Sequence, residues 1–190
     1  MGLAEELAAH VAAVQGTAVE SSAVISEIVD RLSHCFEQGG KLLICGNGGS
    51  AADSQHLAAE FMNRFRRDRR PLPAIALSTD ASVLTSIAND TAYDDVYARQ
   101  VEALGDAGDM LLAISTSGRS PNVLAALRIA RKRALVTVGF TGEAGARWMA
   151  ADCDLLLAVP SGDTARIQEC HEFVYHVIAG MVEVRLMGTD

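Results

Sequence analysis

A chain of 190 residues, 49% of them hydrophobic, is long enough to bury one substantial core, and its length suggests a single domain with some helical extension. Sixteen Lys and Arg against 24 Asp and Glu leave a formal charge of −8, which argues against general nucleic-acid or membrane-surface binding. Any phosphate site must then be local and built largely from backbone amides and hydroxyls. Cys35, Cys45, Cys153 and Cys170 show no CxxC spacing and read as buried, reduced thiols. The opening MGLAEELAAH lacks the basic region and apolar stretch of a signal peptide, and no run is long enough to span a bilayer, so a cytoplasmic location is expected.

The first 38 or so residues place Val24, Ile25, Ile28, Val29, Leu32 and Phe36 at helical spacing and read as two helices, residues 1–38, preceding a domain over 39–190. From residue 41 short apolar runs alternate with helical segments. Strands are expected near 41–45, 74–78, 110–114, 134–139 and 153–159, the rhythm of a parallel sheet covered on both faces. The predicted fold is a five-stranded, doubly wound α/β domain of flavodoxin-like type. Its ligand should lie beyond the carboxyl ends of the strands, where the loops after strands one and three meet the point at which strand order reverses. Residues 164–187 read as a long helix with Ile167, Val174, Val177, Ile178, Met181 and Val182 on an apolar face. Both terminal helical regions are more apolar than a solitary surface helix requires, which suggests packing against another copy of the chain.

Residues 41–60, KLLICGNGGSAADSQHLAAE, hold the densest chemistry. Leu42 to Cys45 suit a strand buried on both faces, Gly46, Gly48 and Gly49 allow a sharp turn close to a ligand, and Ser50 is expected to open a helix. His56 and Glu60 share one face of that helix, one turn apart. The turn matches the loose pattern GxGxxG/A, but a dinucleotide site needs an acidic residue about 20 positions on, at the end of the second strand. Asp68 lies before that strand and Asp80 too late, and no GK[ST] follows the glycines. No nucleotide cofactor is expected; a small phosphorylated or hydroxylated ligand and a merely structural turn remain as readings. Arg64, Arg66, Arg67, Arg69 and Arg70 read as a solvated face, although Arg64, one turn past Glu60, is placed to reach the same cavity.

The third strand runs into Ser115, Thr116, Ser117, Gly118, Arg119, Ser120 and Pro121, with Pro121 suited to the first helical position and Ser120 to the cap. Hydroxyls around a helix N-terminus favour an anion, and the same loop would also serve simply to cap its helix. The final helix adds Gln168, Glu169, Cys170, His171, Glu172 and His176. Gln168 and His176 are separated by ~12 Å along its axis and would line one wall of an elongated site. Alternatively His176 pairs with Glu172 on a solvated face, and His171 reads as a residue of that kind.

Together GNGGSAADSQH, the AxE ending at Glu60, IAND at 87–90, STSGRSPN and RIQExHxxxxH resemble the SIS (sugar isomerase) domain family and, within it, the phosphoheptose isomerases. The resemblance runs from the N-terminal helices to the end of the chain. It implies an aldose-ketose isomerase that converts D-sedoheptulose 7-phosphate to D-glycero-D-manno-heptose 7-phosphate through an enediol, the first step toward ADP-heptose or GDP-heptose for lipopolysaccharide or capsule. It further implies Glu60 and His176 as catalytic pair, and Asn47, Gly48, Gly49, Asn89, Asp90, Ser115, Thr116, Ser117 and Ser120 as substrate contacts, which Ser50, Arg64 and Gln168 would join. His56, Glu60, Gln168 and His176 resemble a zinc-ligand set, one ion per subunit, in a homotetramer. A close non-enzymatic relative that binds the replication initiator DnaA is similar through PAIAL, IAND, DDVYARQVEALG and LLAISTSG. That relative lacks the carboxylate and imidazole that stand here at Glu60 and His176, so catalysis is the expectation and DnaA binding the alternative.

Overall fold

The computed structural model describes residues 2–188. Helices α1 (Leu3–Glu20) and α2 (Ser22–Glu37) precede β1 (Leu42–Gly46), α3 (Gly49–Met62), β2 (Ala74–Ala76), α4 (Ala81–Asp90), α5 (Ala98–Leu104) and β3 (Met110–Ile114). There follow α6 (Pro121–Lys132), β4 (Val136–Gly142), α7 (Ala146–Met149), β5 (Leu155–Val159) and α8 (Thr164–Met187). The strands form one sheet in the order β2-β1-β3-β4-β5, every neighbouring pair parallel. This is the doubly wound arrangement expected, and its order reverses between β1 and β3.

Alternation along the central strands divides the core in two. Leu42 and Ile44 of β1 join Met110, Leu112 and Ile114 of β3 in a cluster with α2, α3 and α8, whereas Leu43, Cys45, Leu111 and Ala113 face α5 and α6. Each buried Leu or Ile contributes about 2 kcal/mol. The third strand and last helix fall where the sequence places them. β4 starts later than expected, at Val136, because Ala134 takes a left-handed φ of 59° as the chain leaves α6. β5 starts at Leu155 because Asp154 first turns its carboxylate back to accept from the Thr137 N–H (2.8 Å) and hydroxyl (3.0 Å). Asp80, too late to hold a ribose, caps α4 by accepting from the Val83 N–H. Cys35, Cys45 and Cys170 are buried, Cys153 partly so, and all four are free thiols. Burial pushes Cys45 up to about 12.

The terminal helices behave differently from one another. α2 buries Ile25, Ile28, Val29, Leu32 and Phe36 on the domain itself, whereas α1 leaves Leu3, Leu7, Val11 and Val19 exposed. α8 crosses the sheet face and buries Ile167, Cys170, His171, Val174, Tyr175, Ile178 and Val182. His171 therefore corrects the expectation of a solvated residue. It stands in the i, i+3/i+4 stripe with Ile167 and Val174, fully buried, its ring 5.5 Å from Phe140 and its Nε2 3.3 Å from the Thr141 carbonyl.

Burial lowers the His171 imidazole from 6.5 to about 4, only partly offset by the Thr141 carbonyl. The unfolded chain thus takes up this proton more readily than the folded one. The contribution is complete above pH 6.5 and is lost as pH falls toward 4, an effect on the order of a few kcal/mol. Asp53, pushed up to about 6 first by burial and then by the Glu172 charge, works in the opposite sense. The expected outcome is a thermal midpoint that falls between pH 6.5 and 4 more steeply in the parent than in His171→Gln, measured by calorimetry on both; parallel curves would exclude His171 as the source.

Candidate active site

The loops that leave β1 and β3 are tied together at the switch point. Asn47 and Asn122 exchange reciprocal amide hydrogen bonds, each 2.9 Å, and the Asn47 oxygen also accepts from Tyr93 (3.1 Å) and Tyr97 (3.3 Å). The Asn47 carboxamide is thereby held by protein groups. Gly48 (φ 58°) is the cap of α3 and Gly49 its first residue, so Ser50, expected to open the helix, is its second residue and is buried. Gln168 packs so closely on Gly49 that a Cβ there would stand 1.6 Å from its Nε2 and the amide would have to swing aside. Gln168 of α8 therefore lies directly on the turn, beside N–H groups that have no partner within the helix.

In the second loop the Ser115 and Ser120 hydroxyls are 3.0 Å apart, and the Ser117 hydroxyl accepts from the Arg119 N–H at 3.3 Å. Pro121 occupies the first helical turn as expected, but Ser120 makes no side-chain capping bond. Asn122 supplies that bond instead, accepting from the Val123 N–H at 3.0 Å. Thr116 and Ser117 face outward into a cavity of about 200 Å³ that Arg119, Arg147 and Trp148 also line. Asn89 and Asp90 are exposed at the end of α4, joined by a 2.9 Å hydrogen bond, and the chain runs from them straight to Tyr93 and the Asn47 knot.

The third group sits farther along α3 and α8. His56, Glu60 and His176 bring ligand atoms within 4.8 Å of one another, the one such group of three His, Cys, Asp or Glu side chains among the described residues. His56 Nε2 is 3.0 Å from Glu60 Oε1, and His56 Nδ1 is 3.0 Å from the Tyr175 hydroxyl. The His56 and His176 rings meet edge to face at 4.9 Å, and Phe65 stacks on His176 at 5.4 Å with 11° between planes. His176 thus packs among rings rather than pairing with Glu172, whose carboxylate instead approaches His56 at 4.0 Å. Gln168 lies at the glycine turn.

Arg64 is exposed in the loop beyond α3, which ends at Met62, so it does not continue the helical face of Glu60 as the sequence suggested. The arginine run is also not simply a solvated face. The Arg69 side chain is completely buried against Glu183, with 3.0 Å between Nε and Oε1. Sequence reasoning missed Asn122, Tyr97, Tyr175, Phe65 and Asp53. Asn122 stands in the quoted STSGRSPN, but its partner is 75 positions away.

The fold and these loops define a sugar-phosphate-binding class of α/β domain, and the SIS domain family matches residues 7–142. The chain is 54% identical over 179 residues to the phosphoheptose isomerase of Roseiflexus sp. (strain RS-1), covering 94% of this chain and 90% of that protein. Among solved structures it is similar to phosphoheptose isomerase GmhA from Neisseria gonorrhoeae, 40% identical with TM-score 0.89 over 95% of this chain and 96% of that one. A phosphoheptose isomerase from Francisella tularensis, 32% identical, superposes with TM-score 0.85 over 96% and 98% of the two chains. The chain belongs to the phosphoheptose isomerase family of SIS-domain proteins.

Replacing Asn122 by Ala leaves the Asn47 amide short of both its reciprocal bonds. Asn122 is 1% exposed, so the expected cost is about 1–3 kcal/mol in denaturant unfolding, against little change for the exposed Ser117→Ala. Equal stabilities for the two variants would remove the knot as a structural element.

Proposed function

We propose that the chain isomerises D-sedoheptulose 7-phosphate to D-glycero-D-manno-heptose 7-phosphate, supplying the heptose of a nucleotide-activated sugar for lipopolysaccharide or capsule. The observation that carries this reading is the meeting of Glu60 from α3 with His176 from α8, on helices whose other ends flank the glycine turn. Moving a proton between C1 and C2 of a ketose needs a base beside the carbons and an acid beside the oxygens. Glu60 takes the carbon-bound proton from one carbon and returns it to the other. Its Oε1 engages His56, which leaves Oε2 for the substrate. His176 exchanges protons with the carbonyl and hydroxyl oxygens as the enediol forms and collapses. Gln168 and Asp90 orient sugar hydroxyls, and Ser115, Thr116, Ser117 and Ser120 hold the phosphate with the N–H groups of the two helix starts, so that phosphate binding positions distant carbons.

Two imidazoles and a carboxylate this close fit a zinc ion, and the Tyr175 hydroxyl holds the second His56 nitrogen as an outer partner should. His56, Glu60 and His176 would hold the ion, which supplies Lewis-acid polarisation of a substrate oxygen. Gln168, ~12 Å along α8 from His176, serves the substrate in this reading.

A second copy of the chain is the proposed cover for the exposed apolar residues of α1 and for a groove of about 960 Å³ lined by Val29, Phe173, His176, Val177, Met181 and Val184. A homotetramer in the cytoplasm accords with this and with the absence, among the described residues, of a helix long and apolar enough to cross a membrane. Light scattering at micromolar concentration should give a mass about four times that of the chain; a monomer would remove the assembly from the proposal.

Incubation with sedoheptulose 7-phosphate in deuterated water should yield the aldose with solvent label at C2 by NMR. Glu60→Gln and His176→Asn should retain the fold and lose at least about a hundredfold in turnover. Activity and metal content before and after chelation assign the role of zinc. Near-parent turnover in either variant defeats the catalytic pair, and no turnover by the parent with specific DnaA binding would favour the binding role.

A further inference from the structure

The isomerase reading assigns no role to Glu183, a carboxylate buried in the last turns of α8. Its Oε1 accepts from the Phe65 N–H (2.9 Å), and its Oε2 from the N–H groups of Arg66 (3.0 Å) and Arg67 (3.2 Å). The Arg69 guanidinium completes the set at 3.0 Å, with both side chains essentially without solvent contact. Burial opposes the ionised form, and these donors more than offset it, holding the carboxyl below its usual range. A carboxylate collecting three consecutive backbone donors fixes the conformation of the loop that carries them.

That loop reaches both members of the catalytic pair. Arg69 Nη2 donates to the Glu60 carbonyl at 2.7 Å and Nη1 to the Phe61 carbonyl at 2.8 Å, so the guanidinium caps the end of α3. Phe65, the first residue gathered by Glu183, lies face to face with the His176 imidazole, 5.4 Å between centroids. His176, Gly180 and Glu183 occupy i, i+4 and i+7 on one face of α8. The phenyl ring lies over Gly180, where a Cβ would make ordinary van der Waals contact with Phe65 Cε1 at 3.4 Å. The ring is thus held from below by the helix and from behind by its own anchored backbone.

We propose that Glu183 and Arg69 are a positioning pair for the reaction: together they clamp the end of α3 to α8, set Glu60 opposite His176, and hold Phe65 as the plate that fixes the imidazole plane. Neither residue touches the reacting atoms. The proposal rests on the isomerase reading for its kinetic consequence but not for its geometric one.

The test uses the full chain with Arg69→Lys, Phe65→Ala, Phe65→Tyr and Glu183→Gln. Lysine keeps the charge but lacks the planar fork that bonds Glu183 and two carbonyls at once. Arg69→Lys and Phe65→Ala should fold, lose about tenfold or more in kcat, and keep KM within about twofold; Phe65→Tyr should restore kcat. Independently of turnover, the His176 ring resonances at fixed pH should lose the ring-current shift of Phe65 in Phe65→Ala, and also move in Arg69→Lys and Glu183→Gln. The double variant Arg69→Lys/Phe65→Ala should be less impaired than the product of the single losses, as expected of one unit. Folded variants with parent kcat and unmoved His176 resonances overturn the proposal, as do variants whose losses match only their unfolded fraction. Should Glu183→Gln not fold, the Arg69 and Phe65 variants decide. Absence of turnover in the parent defeats the isomerase reading, and the ring resonances then decide the clamp alone.

Discussion

The side-by-side packing of α3 on α8 is the constraint on which the site depends. Both helices return antiparallel to the strands on the same face of a parallel sheet, so they run parallel to each other. Their contacts advance in step, Gly49 against Gln168 and His56 against Tyr175 and His176, and the loop beyond α3 continues them with Phe65 against Gly180 and Arg69 against Glu183. Seven residues separate the first two contacts on each helix, a rise of about 10 Å on both. The same register therefore sets the glycine turn beside an amide and, lower down, a carboxylate beside two imidazoles. A side chain at position 49 would displace the Gln168 amide from the top of this seam.

How much of this was legible in the sequence depends on whether the signal was local. The strands near 42–46 and 110–114 are continuous apolar runs, and the 3.6-residue stripe of α2 is written in Ile25, Ile28, Val29, Leu32 and Phe36. The sheet order followed from the βα rhythm, and the convergence of two loops followed from the sheet order. His171 was misread because an i, i+4 argument reports that two residues share a face and not which face is buried. Including it in the stripe from Ile167 to Val174 would have placed it inward. Arg69 and Asn122 were illegible for another reason. Their partners, Glu183 and Asn47, lie 114 and 75 positions away, and nothing local marks an arginine that is buried or an asparagine that is paired.

The acidic composition leaves its mark on the loops. With a net charge of −8, the chain carries no lysine in the loops after β1 and β3, and the phosphate contacts proposed there are hydroxyls and N–H groups at the starts of α3 and α6. Such donors are useful only if rigid, because each N–H must point at the ligand before it arrives. The Asn47–Asn122 pair meets that requirement by joining the two loops across the switch point, and Tyr93 links the knot to the loop behind Asn89 and Asp90. Serine flexibility is limited in the same way, since the Ser115 and Ser120 hydroxyls engage each other.

In the proposed site Glu60 carries two demands that compete. A carboxylate that holds a metal gives up electron density and becomes a poorer base, whereas a free carboxylate beside two imidazoles attracts a cation. Its two oxygens stand differently, with Oε1 on His56 and Oε2 without a partner among the described residues. His56 is held in turn from its other nitrogen by Tyr175, whose phenol burial first, and then the Glu172, Asp53 and Glu60 charges, keep protonated. The carboxylate is thus fixed through one oxygen while the second stays available for proton transfer. This division works only if the imidazole across from it cannot swing away, which is why the ring stacked behind His176 matters as much as the groups in front of it.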